Sequence, residues 1–397
     1  MPLREHHKLT AIDIMRSTID RSEADRPGAA TAALAGGAPE YLGWGDGDTL
    51  CETLATLGCV ELEYAAIRSG VGLIDAAQRG VVLVSGRDAL DLLDRLLSQK
   101  VGELKPGESA AGFLLDRTGR IQSDVLVIRS DRGILLDVDR RDVTVVASAI
   151  EAMTFSEDVA ARGGDDWYTL EAHGPELANL LTACDITLPE PGRVATCSVD
   201  GRTVIVTRWD TAGTLGVRIH LQRVDAMLMW ESLHAKGAVS GLRTRSIGWL
   251  AFNMARIEAR TPWWHIDFGE QSLPHETGLL AERVSFTKGC YPGQEIVARM
   301  EHLGHPKQIL RVLPMPDERQ PIAGGQIFSD EDGSPGDPIG VVTSSGPSPM
   351  RGNASTALAV LKWSHATLGE TVRCVADGEL IRVVIAAVED DVQEDQR

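Results

Sequence analysis

The chain has no CxxC pair, and its six cysteines (Cys51, Cys59, Cys184, Cys197, Cys290 and Cys374) are scattered. This excludes both a small disulfide framework and a structural zinc site. Positive charge is also scarce. Lys and Arg number 39 against 57 Asp and Glu, a net charge of −18. Such a balance excludes a broad surface for nucleic acid or anionic membrane, while leaving room for a local basic pocket. No apolar run approaches the ~18 residues of a membrane helix, and MPLREHHKLT at the N-terminus lacks a signal-peptide core. A cytoplasmic protein is expected. What is present is an ordinary globular balance, 43% hydrophobic and 24% charged, which excludes wholesale disorder. With 397 residues, two or three domains are expected.

Residues 1–60 read as an N-terminal extension, partly mobile, with one helix near residues 11–22 and an Ala/Gly/Pro-rich arm over 26–47. The patch Gly43-Trp44-Gly45-Asp46-Gly47-Asp48 resembles a calcium loop but lacks the closing glutamate, so a plain turn is expected. From residue 81 the pattern sharpens. Residues 81–84 form an apolar strand, and Ala89, Leu92, Leu93, Leu96 and Leu97 make one helical stripe. Strands at 111–116 and 121–128 flank the turn Arg117-Thr118-Gly119-Arg120; a strand at 133–138 and a helix near 140–153 follow.

The same order recurs. A strand at 168–172 and a helix bearing Leu177, Leu180 and Leu181 precede a hairpin around Asp200-Gly201, a strand at 214–220 and a helix at 222–236. Gly86 and Gly174 open the two helices 88 positions apart (174 − 86). Two copies of one α+β unit, or two common layouts in coincidence, explain this order. From about Pro306, short apolar runs separated by Gly and Pro predict a small antiparallel barrel or sandwich. The expected division is 61–160 and 166–304 as α+β lobes and 305–397 as a C-terminal β-barrel, with the lobes free to interleave.

Residues 256–299 are densely polar, with glycines and prolines fixing the loops, the setting in which sites usually lie. Tyr291-Pro292-Gly293-Gln294 fits a type II turn, with Pro second and Gly third. Ile296, Val297, Met300 and Leu303 then predict a helix, placing Cys290 near its N-terminus and two residues from Lys288. Both neighbours favour a thiolate, so Cys290 is either a reactive thiol or a structural one beside a turn. Glu258 can accept two parallel hydrogen bonds from a heterocycle presenting N–H beside an amino group. Trp263 and Trp264 offer flat surfaces to such a ring or pack in the core. Arg256, Lys288 and Arg299 are cations for an acidic ligand or for salt bridges.

Lys288-Gly289-Cys290-Tyr291-Pro292-Gly293-Gln294-Glu295 resembles the K-G-C-[FY]-x-G-Q-E signature of the folate-binding YgfZ proteins, relatives of the glycine-cleavage T-protein. Arg256-Ile257-Glu258-Ala259 is similar to the superfamily stretch whose glutamate binds the pterin. The resemblance covers roughly residues 61–388. It implies an α+β, T-protein-like fold: a three-lobed ring of two related α+β lobes and a C-terminal antiparallel β-barrel around a folate. Tetrahydrofolate is the implied cofactor. Glu258, Arg256, Trp263, Trp264, Lys288, Tyr291, Gln294 and Arg299 are the implied binding residues. In the T-protein an aspartate after the Gly-rich hairpin assists attack at the folate nitrogen; Asp124, with Ser123 beside it, is the acid in that region here. The first expectation is a YgfZ-type protein supporting iron–sulfur client proteins through Cys290. The second is a tetrahydrofolate-dependent aminomethyl or methyl transferase using Asp124.

Overall fold

A computed structural model describes Leu3, His7, residues 38–331 and residues 334–388. The helix expected near residues 11–22 lies outside the described residues, as do residues 26–37 of the expected arm. The chain forms two compact units with interleaved segments. The first comprises Met1–Ala89, Leu104–Ala110 and Leu126–Asn253; the second comprises Leu90–Glu103, Ala111–Val125 and Met254–Arg397.

The chain begins with the hairpin β1 (Glu40–Trp44) and β2 (Cys51–Thr56), then α1 (Val60–Ser69) and β3 (Val71–Asp75). The Gly/Asp patch is the turn of that hairpin, ending in the short 3-10 helix Gly47–Thr49. A first run follows: β4 (Arg79–Ser85), α2 (Ala89–Leu96), β5 (Glu108–Leu115), β6 (Ile121–Ser130), β7 (Gly133–Asp139) and α3 (Val143–Ala152). After β8 (Ala160–Gly163) comes a second: β9 (Trp167–His173), α4 (Leu177–Ala183), β10 (Val194–Val199), β11 (Arg202–Arg208), β12 (Gly216–Gln222) and α5 (Ala226–Val239). The remaining elements are β13 (Thr244–Ser246), α6 (Trp249–Glu258), α7 (Leu280–Arg283), α8 (Gln294–Leu303), β14 (Gln308–Pro314), β15 (Gln326–Glu331), β16 (Ser334–Pro347), β17 (Ser355–Lys362), β18 (Thr371–Ala376) and β19 (Glu379–Val384).

The two runs repeat each other in sheet order as well as element order. One sheet reads β5-β6-β7-β4-β8 and the other β10-β11-β12-β9-β3-β13. Each first strand therefore lies between the fourth strand of its own run and a strand from elsewhere. Those outer strands are exchanged: β3, which leads into β4, completes the sheet of the second run, and β8, which leads towards β9, completes that of the first. Gly86 and Gly174 mark equivalent corners. Both have positive φ, 110° and 145°. A Cβ on Gly86 would lie 1.9 Å from the Asp158 carbonyl oxygen, and one on Gly174 would lie 2.1 Å from that of Gly70, just before the exchanged strands. Only glycine fits either corner.

In the first unit a buried ionic cluster joins the two sheets. Asp137 on β7 accepts from Arg79 on β4 and, at 2.8 Å, from Arg218 on β12. The Arg218 Nε donates to Glu171 on β9 at 2.8 Å, and its guanidinium lies 3.6 Å from the Trp209 ring centre. Burial opposes ionisation of Asp137 and Glu171, but the attached arginines outweigh it and lower both carboxyls to about 2. The predicted stripe of α2 is observed: Ala89, Leu92, Leu93, Leu96 and Leu97 are all buried.

In the second unit the C-terminal strands form a six-stranded antiparallel sheet, ordered β14-β17-β16-β15-β18-β19. Where a barrel or sandwich was expected, this sheet is the observed form. Reciprocal backbone bonds of 3.0 and 2.9 Å between Val312 and Ala386 link β14 to the chain beyond β19. Among the described residues no helix is long and apolar enough to cross a membrane.

Candidate functional site

The loop before α8 is shaped by Gly293. Its φ of 75° and ψ of 0°, with the Gln294 N–H donating to the Tyr291 carbonyl at 3.2 Å, make the predicted type II turn. A Cβ here would lie 2.5 Å from the Asp116 carbonyl oxygen and 2.6 Å from the Gly119 Cα. The start of α8 is thus seated against the tip of the β5–β6 hairpin. That tip is itself an Asx turn: the Asp116 Oδ1 accepts from the Thr118 N–H and hydroxyl, both at 2.8 Å, and from the Arg120 N–H at 2.9 Å.

Lys288 points into the protein. Its Nζ donates to the carbonyls of Asp94, Leu97 (2.7 Å) and Gln99 (3.0 Å), capping the C-terminal end of α2, and lies 3.5 Å from the Asp94 carboxylate. Burial outweighs the pull of Asp94 and lowers its pKa. Tyr291 is buried with Phe113, Leu115, Ile121, Trp264, Phe268 and Val297, and burial pushes its hydroxyl up to about 12. Cys290, between these two inward-facing residues, is exposed. Gln294 is half-buried and Arg299 is exposed.

At the C-terminal end of α6, Arg256 is fully buried. It donates to the Asp267 Oδ2 at 2.7 Å, the Thr261 carbonyl at 3.0 Å and the Ser344 hydroxyl at 2.8 Å. Asp267 also accepts from the Trp263 N–H at 2.8 Å and the Thr343 and Ser344 hydroxyls at 2.7 and 2.6 Å. Arg256 therefore joins α6 to the 261–267 loop and β16. Trp263 and Trp264 are both buried, and Trp264 belongs to the apolar cluster around Tyr291. Two residues beyond Arg256, Glu258 is half-buried and its Oε1 accepts from the hydroxyl of buried Ser348.

On β6, alternation buries Ile121, Ser123 and Val125 and leaves Gln122 and Asp124 half-buried. The Asp124 Oδ1 accepts from the Arg283 Nε at 2.9 Å, and Arg283 also reaches Glu282 at 2.7 Å. Burial disfavours the Arg283 charge, yet Asp124 and Glu282 outweigh it and raise its pKa above the ordinary value. The Arg283 carbonyl is held by the Ser98 hydroxyl at 2.6 Å. Sequence reasoning missed Arg283 and Ser348, and gave Ser344 no role although Gly340-Val341-Val342-Thr343-Ser344 also resembles the superfamily. The polar density of the 256–299 segment was the available signal for Arg283; nothing marked Ser348.

In the second unit two carboxylates, Asp124 and Glu258, are thus held by Arg283 and Ser348 respectively. Such groups can accept from ligand N–H groups or move a proton. Arg256 and Lys288 have their donors occupied within the protein, and among the described residues no cluster of His, Cys, Asp and Glu has a metal-binding arrangement.

The family of the GCVT N-terminal domain matches residues 44–288. An aminomethyltransferase of Geobacillus kaustophilus is 24% identical over 358 residues, covering 88% of this chain and 93% of that protein. One from Bacillus pumilus is 27% identical over 334 residues, covering 83% and 89%. Among solved structures, the glycine cleavage system aminomethyltransferase T from Bartonella henselae has a TM-score of 0.77 at 20% identity, covering 90% of this chain and 95% of that one. At that identity the likeness establishes the fold. The family match takes in the hairpin bearing Asp124, the helix ending at Glu258 and the loop up to Lys288, so the chain belongs to the GCVT N-terminal domain family.

Proposed function

We propose that this chain transfers a one-carbon unit to tetrahydrofolate as an aminomethyltransferase. The observation that carries this reading is the alignment of a protein named aminomethyltransferase with 88% of this chain and 93% of its own length. The chemistry of the site fits the cofactor. Glu258, with one oxygen held by Ser348, suits the N–H and amino edge of a pterin. Exposed Arg299 is the cation for its acidic tail. Tetrahydrofolate, when bound, supplies the nitrogens that receive the carbon. Asp124, held through Oδ1 by Arg283, orients or deprotonates the reacting group. Exposed Cys290 in the K-G-C-Y-P-G-Q-E segment favours a second reading, a YgfZ-type folate protein serving iron–sulfur clients.

Titration with tetrahydrofolate tests the shared premise; saturable binding weakened by Glu258→Ala is expected, and no binding by the wild type refutes both readings. Formation of 5,10-methylene-tetrahydrofolate from an aminomethyl donor separates them. The transferase reading expects turnover that falls about 10²–10⁴-fold in Asp124→Asn and is unaffected by Cys290→Ser. Folate binding without turnover, with a cellular iron–sulfur defect rescued by wild type but not by Cys290→Ser, overturns it in favour of the second.

A further inference from the structure

Asp124 and Arg283 lie 159 positions apart in the chain, and residues just past α2 govern how they meet. Ser98, fully buried there, uses every polar group it has. Its N–H donates to the Phe113 carbonyl and its carbonyl accepts from the Ser285 N–H, both at 2.9 Å. Its hydroxyl accepts from the Phe113 N–H at 2.9 Å and donates to the Arg283 carbonyl at 2.6 Å. One residue thus ties β5, the neighbour of the strand carrying Asp124, to the backbone of the arginine that binds Asp124.

Two further contacts stiffen this junction. The Lys288 Nζ holds the carbonyls of Leu97 and Gln99, on either side of Ser98, at 2.7 and 3.0 Å. The Gln99 Nε2 donates to the Glu282 carbonyl at 2.9 Å, and Glu282 accepts at 2.7 Å from Arg283. A Cβ on Gly112 would lie 2.7 Å from that of Gln99, so β5 passes against the junction with no side chain between. Arg283 is therefore held at its carbonyl by Ser98 and at its guanidinium by Asp124 and Glu282.

We propose that Ser98 is a positioning residue for the transfer step, acting through the Arg283 carbonyl to set where the guanidinium and the Asp124 carboxylate stand. The inference rests on the transferase reading, in which Asp124 acts on the reacting group. A misplacement of about 1 Å at a reacting centre can cost ~10²-fold in rate. In Ser98→Ala the two backbone bonds of Ser98 remain, so the junction stays joined and only the hydroxyl's grip on Arg283 and Phe113 is lost.

Steady-state formation of 5,10-methylene-tetrahydrofolate from an aminomethyl donor tests this, with circular dichroism confirming that each variant is folded. Ser98→Ala should lower kcat about 10–100-fold while the KM for tetrahydrofolate stays within about twofold. Ser98→Cys, which keeps a weak donor, should recover part of the rate. Gln99→Ala removes only the partly exposed link to Glu282 and should lower kcat severalfold, a check that stands even where Ser98→Ala does not fold. In an Asp124→Asn background Ser98→Ala should cost less than about twofold more, because the group it serves is already gone. A kcat unchanged in both Ser98→Ala and Gln99→Ala, a loss confined to KM, or a loss undiminished in Asp124→Asn overturns the proposal and leaves the transferase reading standing. Wild type that binds tetrahydrofolate without turnover refutes the transferase reading itself and the inference with it.

Discussion

Replacing Arg256 by methionine tests whether its guanidinium serves the fold or a ligand. The substitution keeps a long straight side chain while removing three donated bonds, to Asp267, Thr261 and Ser344. Asp267 then keeps the Trp263 N–H and the Thr343 and Ser344 hydroxyls, but no positive charge, in a site closed to water. Breaking a buried ion pair on one side costs about 3–5 kcal/mol. Arg256→Met should therefore lose roughly that much in urea unfolding monitored by circular dichroism. Adding Asp267→Asn removes the stranded charge. The double variant should lose about 1–3 kcal/mol less than the sum of the two single losses. A loss below about 1 kcal/mol in Arg256→Met, accompanied by weakened tetrahydrofolate binding, would refute this reasoning and place the guanidinium against the ligand.

Gly293→Ala forces an L residue to φ 75° and drives a Cβ into the Asp116 and Gly119 backbone. It should cost roughly 2–4 kcal/mol in urea unfolding, from about 1–2 of left-handed strain and a similar amount of overpacking; a loss under about 0.5 kcal/mol contradicts the docking of α8 on the hairpin. Burial pushes the Asp75 carboxyl up to about 7. Its contribution is thus full below about pH 4 and is lost as pH rises towards 7. Asp75→Asn should be more stable than wild type at pH 8 and lose that advantage at pH 4, as thermal melts across pH will report. Asp137 and Glu171, both lowered to about 2, act in the opposite sense: their contribution is present above about pH 4 and lost as pH falls towards 2. Thiol labelling of the native protein should modify exposed Cys290 quickly while Cys184 and Cys374, buried and pushed up to about 11, react only on unfolding; equal rates would contradict these burials.

Features set by neighbours in sequence were readable before the structure. The Leu92–Leu93–Leu96 stripe, the Asp200-Gly201 hairpin and the type II turn at Gly293 each follow from a few adjacent residues. The repeat was readable because its strands and helices keep their order. What could not be read is which distant groups meet. β8, Ala160–Gly163, carries no strand pattern, and only its pairing with β4 makes it one. Lys288 and Arg256 looked like ligand cations because a charged side chain near Gly and Pro gives no sign of the carbonyls or carboxylate waiting for it. Trp264 is core because Phe113 and Tyr291 surround it, from segments far apart in the chain.

The exchange of outer strands sets a timetable for synthesis. Gly72 on β3 pairs with His173, 101 positions later, and Val71 pairs with Thr244 later still. At about 5–20 residues per second, β3 leaves the ribosome roughly 5–20 s before β9 is available to pair with it. Throughout that interval an apolar strand with Val71, Leu73 and Ile74 has an open edge, the kind that recruits another chain. Neither repeat can be cut out as a self-sufficient domain, since each would leave behind the strand that finishes its sheet. The pace of translation, or a chaperone holding residues 71–75, should therefore affect the yield of native protein.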